Sequence, residues 1–214
     1  MTALLELDGL DVAYRTSAAP HRVVHDVSFD VQPGEVVALV GESGSGKTTT
    51  SSAVLGLLPS GGRVERGAIR LSGTDIAGWS DRRLQAVRGA RIGYIPQDPV
   101  SSLNPVRPIG VQLADTFRIH GTRDRRDIRN RVLELLERVG LDDPALRARQ
   151  YPHELSGGMR QRVLIANAVA LAPELVIADE PTSALDVTVQ RRILDLIDDL
   201  RREHGTAVSE FGST

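Results

Sequence analysis

Residues 36–48 constrain this chain more than any other stretch. Val36 to Val40 is a short, valine-rich apolar run, Gly41-Glu42-Ser43-Gly44-Ser45-Gly46-Lys47-Thr48 follows at once, and Thr48 to Leu58 reads as a helix ending before Pro59. A buried strand turning through glycines into a helix is a strand–loop–helix unit. The spacing Gly41-x-x-x-x-Gly46-Lys47-Thr48 is that of a loop that cradles phosphates. The glycines let backbone N–H groups turn inward, and the next helix points the positive end of its dipole at the same place. In such a loop Lys47 neutralises β- and γ-phosphates and the Thr48 hydroxyl ligates Mg²⁺. Gly41, Ser43, Gly44, Ser45, Gly46 and Thr49 complete the expected cradle. A flexible Gly/Ser linker is the competing reading, but a linker needs neither Lys-Thr at its exit nor valines before it.

The flanking segments supply a fold for this unit. Leu4 to Tyr14 and Val23 to Val31 read as strands, separated by a loop and followed by a Pro33-Gly34 turn. Ala68 to Leu71 and Ile92 to Ile95 read as further strands, with a helix around Asp81 to Val87. From Asp98 the texture changes: Pro99, Pro105 and Pro108 punctuate a loop, and an arginine-rich helical stretch follows. Ile128, Val132, Leu135, Leu136 and Val139 share one helix face, while Arg129, Arg131, Glu134, Glu137 and Arg138 form a solvated one. Met159 to Leu171 reads as a helix stopped by Pro173, and Leu175 to Ala178 as a strand. Val189, Ile193, Leu196, Ile197 and Leu200 mark another amphipathic helix, and Thr206-Ala207-Val208 starts one more strand. This order implies an α/β nucleotide-binding core interrupted by a helical block. We place the core at residues 1–97 and 161–208, the helical subdomain at 98–160, and a non-native tail at 209–214.

Two further motifs carry chemistry. The run Leu175-Val176-Ile177-Ala178 ends in Asp179-Glu180, so a buried strand delivers Asp179 beside the phosphates to hold the Mg²⁺ shell. Glu180 then orients or deprotonates the attacking water. Alone, an apolar run ending in two acids is also what an ordinary strand end looks like. Its weight comes from its pairing with the loop at 41–48. Leu155-Ser156-Gly157-Gly158-Met159-Arg160-Gln161-Arg162 places a Ser at a helix start with two glycine amides behind it, which suits a phosphate as well as an ordinary N-cap.

This last motif resembles the signature sequence of ABC ATPases, and it lies about 20 residues before the Asp179-Glu180 strand, as it does in that family. The resemblance runs from about Leu4 to Val208. It implies a P-loop NTPase core of ABC ATPase type, with an antiparallel β subdomain and an inserted helical subdomain. Gln97 matches the family's Q-loop glutamine, a Mg²⁺ and γ-phosphate contact at the hinge of the helical block. Ser183-Ala184-Leu185-Asp186 matches its D-loop. Tyr14 is either an adenine-stacking aromatic or an exposed strand tyrosine. Two domains of this family pack head to tail, as a homo- or heterodimer, so Ser156, Gly157 and Gly158 would act on the partner's nucleotide.

The segments Gln97 to Pro105 and Ala178 to Gln190 look like those of the dipeptide/oligopeptide/nickel importer ATPases. The resemblance thus implies an ATP-hydrolysing subunit at the cytoplasmic face of the cell membrane, docked on permease subunits through the region near Ser101 to Gly110. An extracytoplasmic solute-binding protein would be an indirect partner. The permease and binding protein would select the solute.

The bulk properties are compatible with this. Lys+Arg 26 against Asp+Glu 28 gives no electrostatic reason to expect nucleic acid, and with no cysteine there is no thiolate metal site or cysteine nucleophile. No run of about 18 apolar residues occurs, and the first residues lack the pattern of a secretory signal. At the other end the pattern departs from the family. The histidines are His21, His25, His120, His153 and His204, and none follows Val208, where the family carries a γ-phosphate-contacting switch histidine. His204 reads as a helix-terminating residue and His153 as a loop residue. On this reading the sheet lacks its last strands and exposes an apolar edge, and the chain binds Mg·ATP but hydrolyses it slowly. A truncated nucleotide-binding module is the alternative function.

Overall fold

The computed structural model describes residues 2–15, 19–42, 44–179, 190–191, 194–195, 198–199, 201–202 and 205–212. Two four-stranded sheets organise them. The first is antiparallel, built from β1 (Leu5–Tyr14), β2 (His21–Val31), β4 (Gly62–Leu71) and β5 (Thr74–Asp75) in the order β2-β1-β4-β5. The second is parallel, built from β3 (Val36–Val40), β6 (Ile92–Ile95), β7 (Leu175–Asp179) and β8 (Ala207–Gly212) in the order β3-β8-β7-β6. Parallel neighbours need crossovers, and helices supply them: α1 (Lys47–Leu55) follows β3, and α7 (Gly157–Val169) precedes β7.

Between β6 and α7 run α3 (Pro99–Ser102), α4 (Ile109–Ile119), α5 (Arg125–Arg138) and α6 (Pro144–Arg147); the short α2 (Asp81–Gln85) lies before β6. Asp98 caps α3 by accepting from the Val100 and Ser101 amides, and Asp124 caps α5 from Arg126 and Asp127. The expected apolar face of α5 is buried through Ile128, Val132, Leu135 and Leu136.

The parallel sheet separates two hydrophobic cores. Strand β7 is buried at all five positions, because side chains alternate across a strand and both faces are covered. Val176 and Ala178 face a core shared with the helical block and α7. Leu175 and Ile177 face a core shared with α1 and the antiparallel sheet.

Strand β3, expected to be buried, is only half so. It pairs with β8 in register, Val36 with Val208 and Val37 with Ser209. Val37 and Leu39 pack on the second core, whereas Val36 and Val40 are 53% and 62% exposed. The reason is geometric: α7 lies over β6 at the other edge, and among the described residues nothing covers the matching face of β3.

The tail assigned to residues 209–214 enters the sheet: Ser209 to Phe211 pair with both β3 and β7, Gly212 pairs with β3, and Ser209 is fully buried. Any extended segment beside two strands with open backbone groups gains ladder hydrogen bonds irrespective of its side chains. The strand expected at Ala68 to Leu71 runs from Gly62, because pairing with β1 extends to Tyr14.

Candidate active site

The C-terminal ends of the parallel strands form one edge, the side on which open α/β sheets bind ligands. The loop at 41–46 leaves β3 there. Gly46 is the residue before α1 and has φ 92°, in the left-handed region. A Cβ on Gly46 would sit 3.1 Å from the Val23 carbonyl, so both conformation and space call for glycine. The Lys47 ammonium reaches back over the loop and donates to the carbonyls of Gly41 at 2.6 Å and Glu42 at 2.8 Å, and to Ser45 Oγ at 3.4 Å. The Thr50 hydroxyl donates to the Gly46 carbonyl at 2.9 Å and fastens the first turn of α1 to the loop.

Strand β7 supplies the other half. Its last residue, Asp179, is 2% exposed, and its Oδ2 accepts from Thr48 Oγ1 at 2.8 Å. Two hard oxygen donors from residues 131 positions apart thereby meet beside the loop, a donor set suited to Mg²⁺. Burial, together with the Asp179 carboxylate, pushes the Tyr94 phenol above its ordinary pKa, while the Ser51 hydroxyl partly offsets this. Tyr94 therefore stays a neutral phenol. At the next strand, Ile95 pairs with Ala178, so Gln97 emerges at the same edge two residues further on and is exposed.

Other expected residues lie elsewhere. Ser156 caps α7, accepting from the Met159 amide at 3.3 Å, and Ser156 and Gly157 are exposed. That helix packs on α3 and β6, three strand positions from β3, or roughly 14 Å across the sheet. Among the described residues no hydrogen bond or ion pair joins Ser156 or Gly157 to Lys47. Tyr14 ends β1, half-buried, paired with His21 and Gly62. Ser43, Glu180, the segment Ser183 to Asp186 and His204 lie outside the described residues.

Two supporting residues carried no sequence signal. Arg88 donates to the carbonyls of Leu55 at 2.7 Å and Gly56 at 2.9 Å, closing the C-terminus of α1, and pairs with Asp81 at 2.7 Å. Asp98, beside Gln97, accepts from the Val100 and Ser101 amides, and these bonds hold its carboxyl below the ordinary value. A lone Arg in a loop reveals no partner 33 residues away.

The family model described as ABC transporter matches residues 24–183, which include the loop, Asp179 and the Ser156 motif. The chain belongs to the ABC transporter family. It is 49% identical over 209 residues to the oligopeptide transport ATP-binding protein OppD of Mycobacterium tuberculosis, covering 97% of this chain and 34% of that protein. Against the dipeptide transport ATP-binding protein DppD of Escherichia coli the identity is 44% over 206 residues, covering 96% and 63%. The chain thus spans between about a third and two thirds of the length of these relatives. Among solved structures, the dimeric ATP-binding cassette MJ0796 bound to ADP and Pi superposes with a TM-score of 0.87 at 27% identity, covering 97% of this chain and 87% of that one. The match confirms the ABC ATPase fold, with its antiparallel sheet beside a parallel P-loop core. No helix among the described residues is long and apolar enough to cross a membrane.

Proposed function

We propose that this domain binds Mg·ATP along the C-terminal edge of its parallel sheet and hydrolyses it to ADP and phosphate, energising an importer of di- or oligopeptides. The observation that carries this reading is the meeting of Lys47, Thr48 and Asp179 at one glycine-lined helix start. The amides of residues 41–49 and the Lys47 ammonium would hold the β- and γ-phosphates. Thr48, Asp179 and Gln97 would hold Mg²⁺, which neutralises phosphate charge. Glu180 would accept the proton of the water that attacks the γ-phosphorus, while the ADP oxygen departs. Tyr14, at the end of β1, is the aromatic offered to adenine.

Ser156, Gly157 and Gly158 cannot serve the same nucleotide from their position over β6. They would serve one held by a second ATPase domain packed head to tail, a reading supported by the dimeric state named for the MJ0796 cassette. We assign residues 98–160 to a helical subdomain and residues 1–97 and 161–208 to the nucleotide-binding core. Between them lies a cleft of about 650 Å³ lined by Leu57, Arg88, Tyr94, Ser102 and Ile119. Ile119 is 74% exposed there. This cleft, adjoining the region from Ser101 to Gly110, is the place for a permease loop, with the domain at the cytoplasmic face of the membrane. The peptide assignment is supported by the relatives' names.

Uptake of a labelled dipeptide and pentapeptide in cells lacking the native gene tests this. The gene product is expected to restore uptake, and the Lys47→Met form to fail at equal abundance. Uptake by the Lys47→Met form at the wild-type rate would contradict it.

A further inference from the structure

A second concave site lies in the helical block, away from the sheet edge. Helices α4, α5 and α6 enclose a slot of about 290 Å³. Its floor is apolar: Ala114 from α4, with Ile128 and Val132 from α5, all buried. Its rim carries four cations, Arg118, Arg125, Arg129 and Arg149, and no carboxylate lines it among the described residues. Arg118 is paired with Asp115 at 2.9 Å. Arg125, Arg129 and Arg149 have no ion pair among the described residues and are exposed. The slot is also held open by backbone bonds: the Ile109 and Gly110 amides donate to the Gln150 and Ala148 carbonyls, each at 2.8 Å, tying the start of α4 to the end of α6.

A solvated helix face accounts for Arg129 alone, but not for three unpaired guanidiniums from two segments ringing one apolar slot with no carboxylate lining it among the described residues. Like charges at close range repel, and nothing in the block's core requires them. They are explained by an occupant that is apolar at its centre and anionic at its edges. Planar guanidiniums bind carboxylates in a two-point fork, so the anions that fit best are carboxylates. The apolar floor residues Ala114, Ile128 and Val132 are buried while Arg125, Arg129 and Arg149 are exposed, which suits a side chain inserted between the cations better than a flat lipid surface.

We infer that this slot docks an acidic peptide segment of a partner protein, which inserts one aromatic or large aliphatic side chain between α4, α5 and α6 and places flanking Asp or Glu carboxylates on Arg125, Arg129 and Arg149. The site is independent of the nucleotide reading. It shares α4 with the interdomain cleft, however: Val111, Ala114 and Arg118 face the slot, whereas Thr116, Ile119 and His120 face the cleft. An occupant therefore presses on a helix that walls both.

The test is fluorescence anisotropy with a labelled Glu-Glu-Phe-Glu-Glu peptide, titrated with the whole chain at low salt. Saturable binding is expected, weakened at least tenfold for Glu-Glu-Ala-Glu-Glu and for Lys-Lys-Phe-Lys-Lys. The double substitution Arg125→Gln/Arg129→Gln and, separately, Ala145→Phe, which fills the slot from its exposed edge, should each weaken binding at least tenfold. Both should leave the circular dichroism spectrum and ATP affinity unchanged. The inference is overturned if no peptide binds, if the Phe and Ala peptides bind equally, if the variants bind as the wild type does, or if anionic phosphatidylserine vesicles compete the peptide away.

Discussion

At Thr48 one hydroxyl serves two purposes, as a structural donor to a buried carboxylate and as a proposed Mg²⁺ ligand. Thr48→Val keeps the shape and removes a hydrogen bond to a charged acceptor, so denaturant unfolding should show a loss of about 1.5–3 kcal/mol. Thr48→Ser should restore stability and Mg-dependent nucleotide binding together; restoration of only one would separate the two purposes. Asp11 tests a different residue-scale effect. It is 1% exposed, and the Asp26 amide, followed by Arg22 and Arg66, holds its carboxyl below the ordinary value of 3.8. A carboxyl whose folded pKa is depressed stabilises the fold above its unfolded pKa, and that stability is lost as pH falls through the folded value. Wild-type Tm should therefore fall steeply below about pH 4, and Asp11→Asn should give a lower Tm at pH 7 with a shallower acid slope. Equal slopes would exclude Asp11 as the cause.

Among the elements, α1 aims the phosphate loop, and its C-terminus is held by Arg88 rather than by anything nearby in sequence. Arg88→Met keeps the aliphatic stem and leaves the Leu55 and Gly56 carbonyls without that donor. It should cost about 1–3 kcal/mol and weaken ATP binding several-fold, as read by thermal melts and nucleotide titration. Strand β6 and α7 approach so closely that a Cβ on Gly93 would lie 2.2 Å from the Ala168 carbonyl. Gly93→Ala should therefore destabilise the chain by about 1–3 kcal/mol; a neutral effect would show that the two elements slide freely. The elements also show what the sequence made legible. β7 and the apolar face of α5 were readable because continuous burial and helical periodicity leave direct patterns in residue order. The half-exposure of β3 was not, because valines at 36 and 40 look the same whether or not a helix covers them. The start of β4 was missed because Gly62 to Gly67 lacks an apolar alternation and is held by pairing with β1.

On the scale of the whole molecule, the loop at 41–48 and the acidic end of β7 are legible in sequence as a glycine-rich spacing and an apolar run ending in acids, whereas Gln97 is singled out only by the family resemblance. The connection of Thr48 to Asp179 could only be expected, since a bond across 131 residues depends on the strand order β3-β8-β7-β6. The same order carries the Ser156 motif to the opposite side of the sheet, which makes a second domain part of the proposed catalytic unit. Substituting Ser156→Arg should accordingly leave nucleotide binding by one chain unchanged while abolishing ATP-dependent dimerisation, measured by light scattering. The proposed function depends on a phosphate site at the sheet edge. The most direct test is isothermal titration of the chain with ATP, with and without Mg²⁺, against the Lys47→Met form. Saturable Mg-dependent binding of one ATP per chain, absent with AMP and lost in Lys47→Met, is the expected result. Binding that ignores the γ- and β-phosphates, or survives the loss of Lys47 unchanged, would contradict the account.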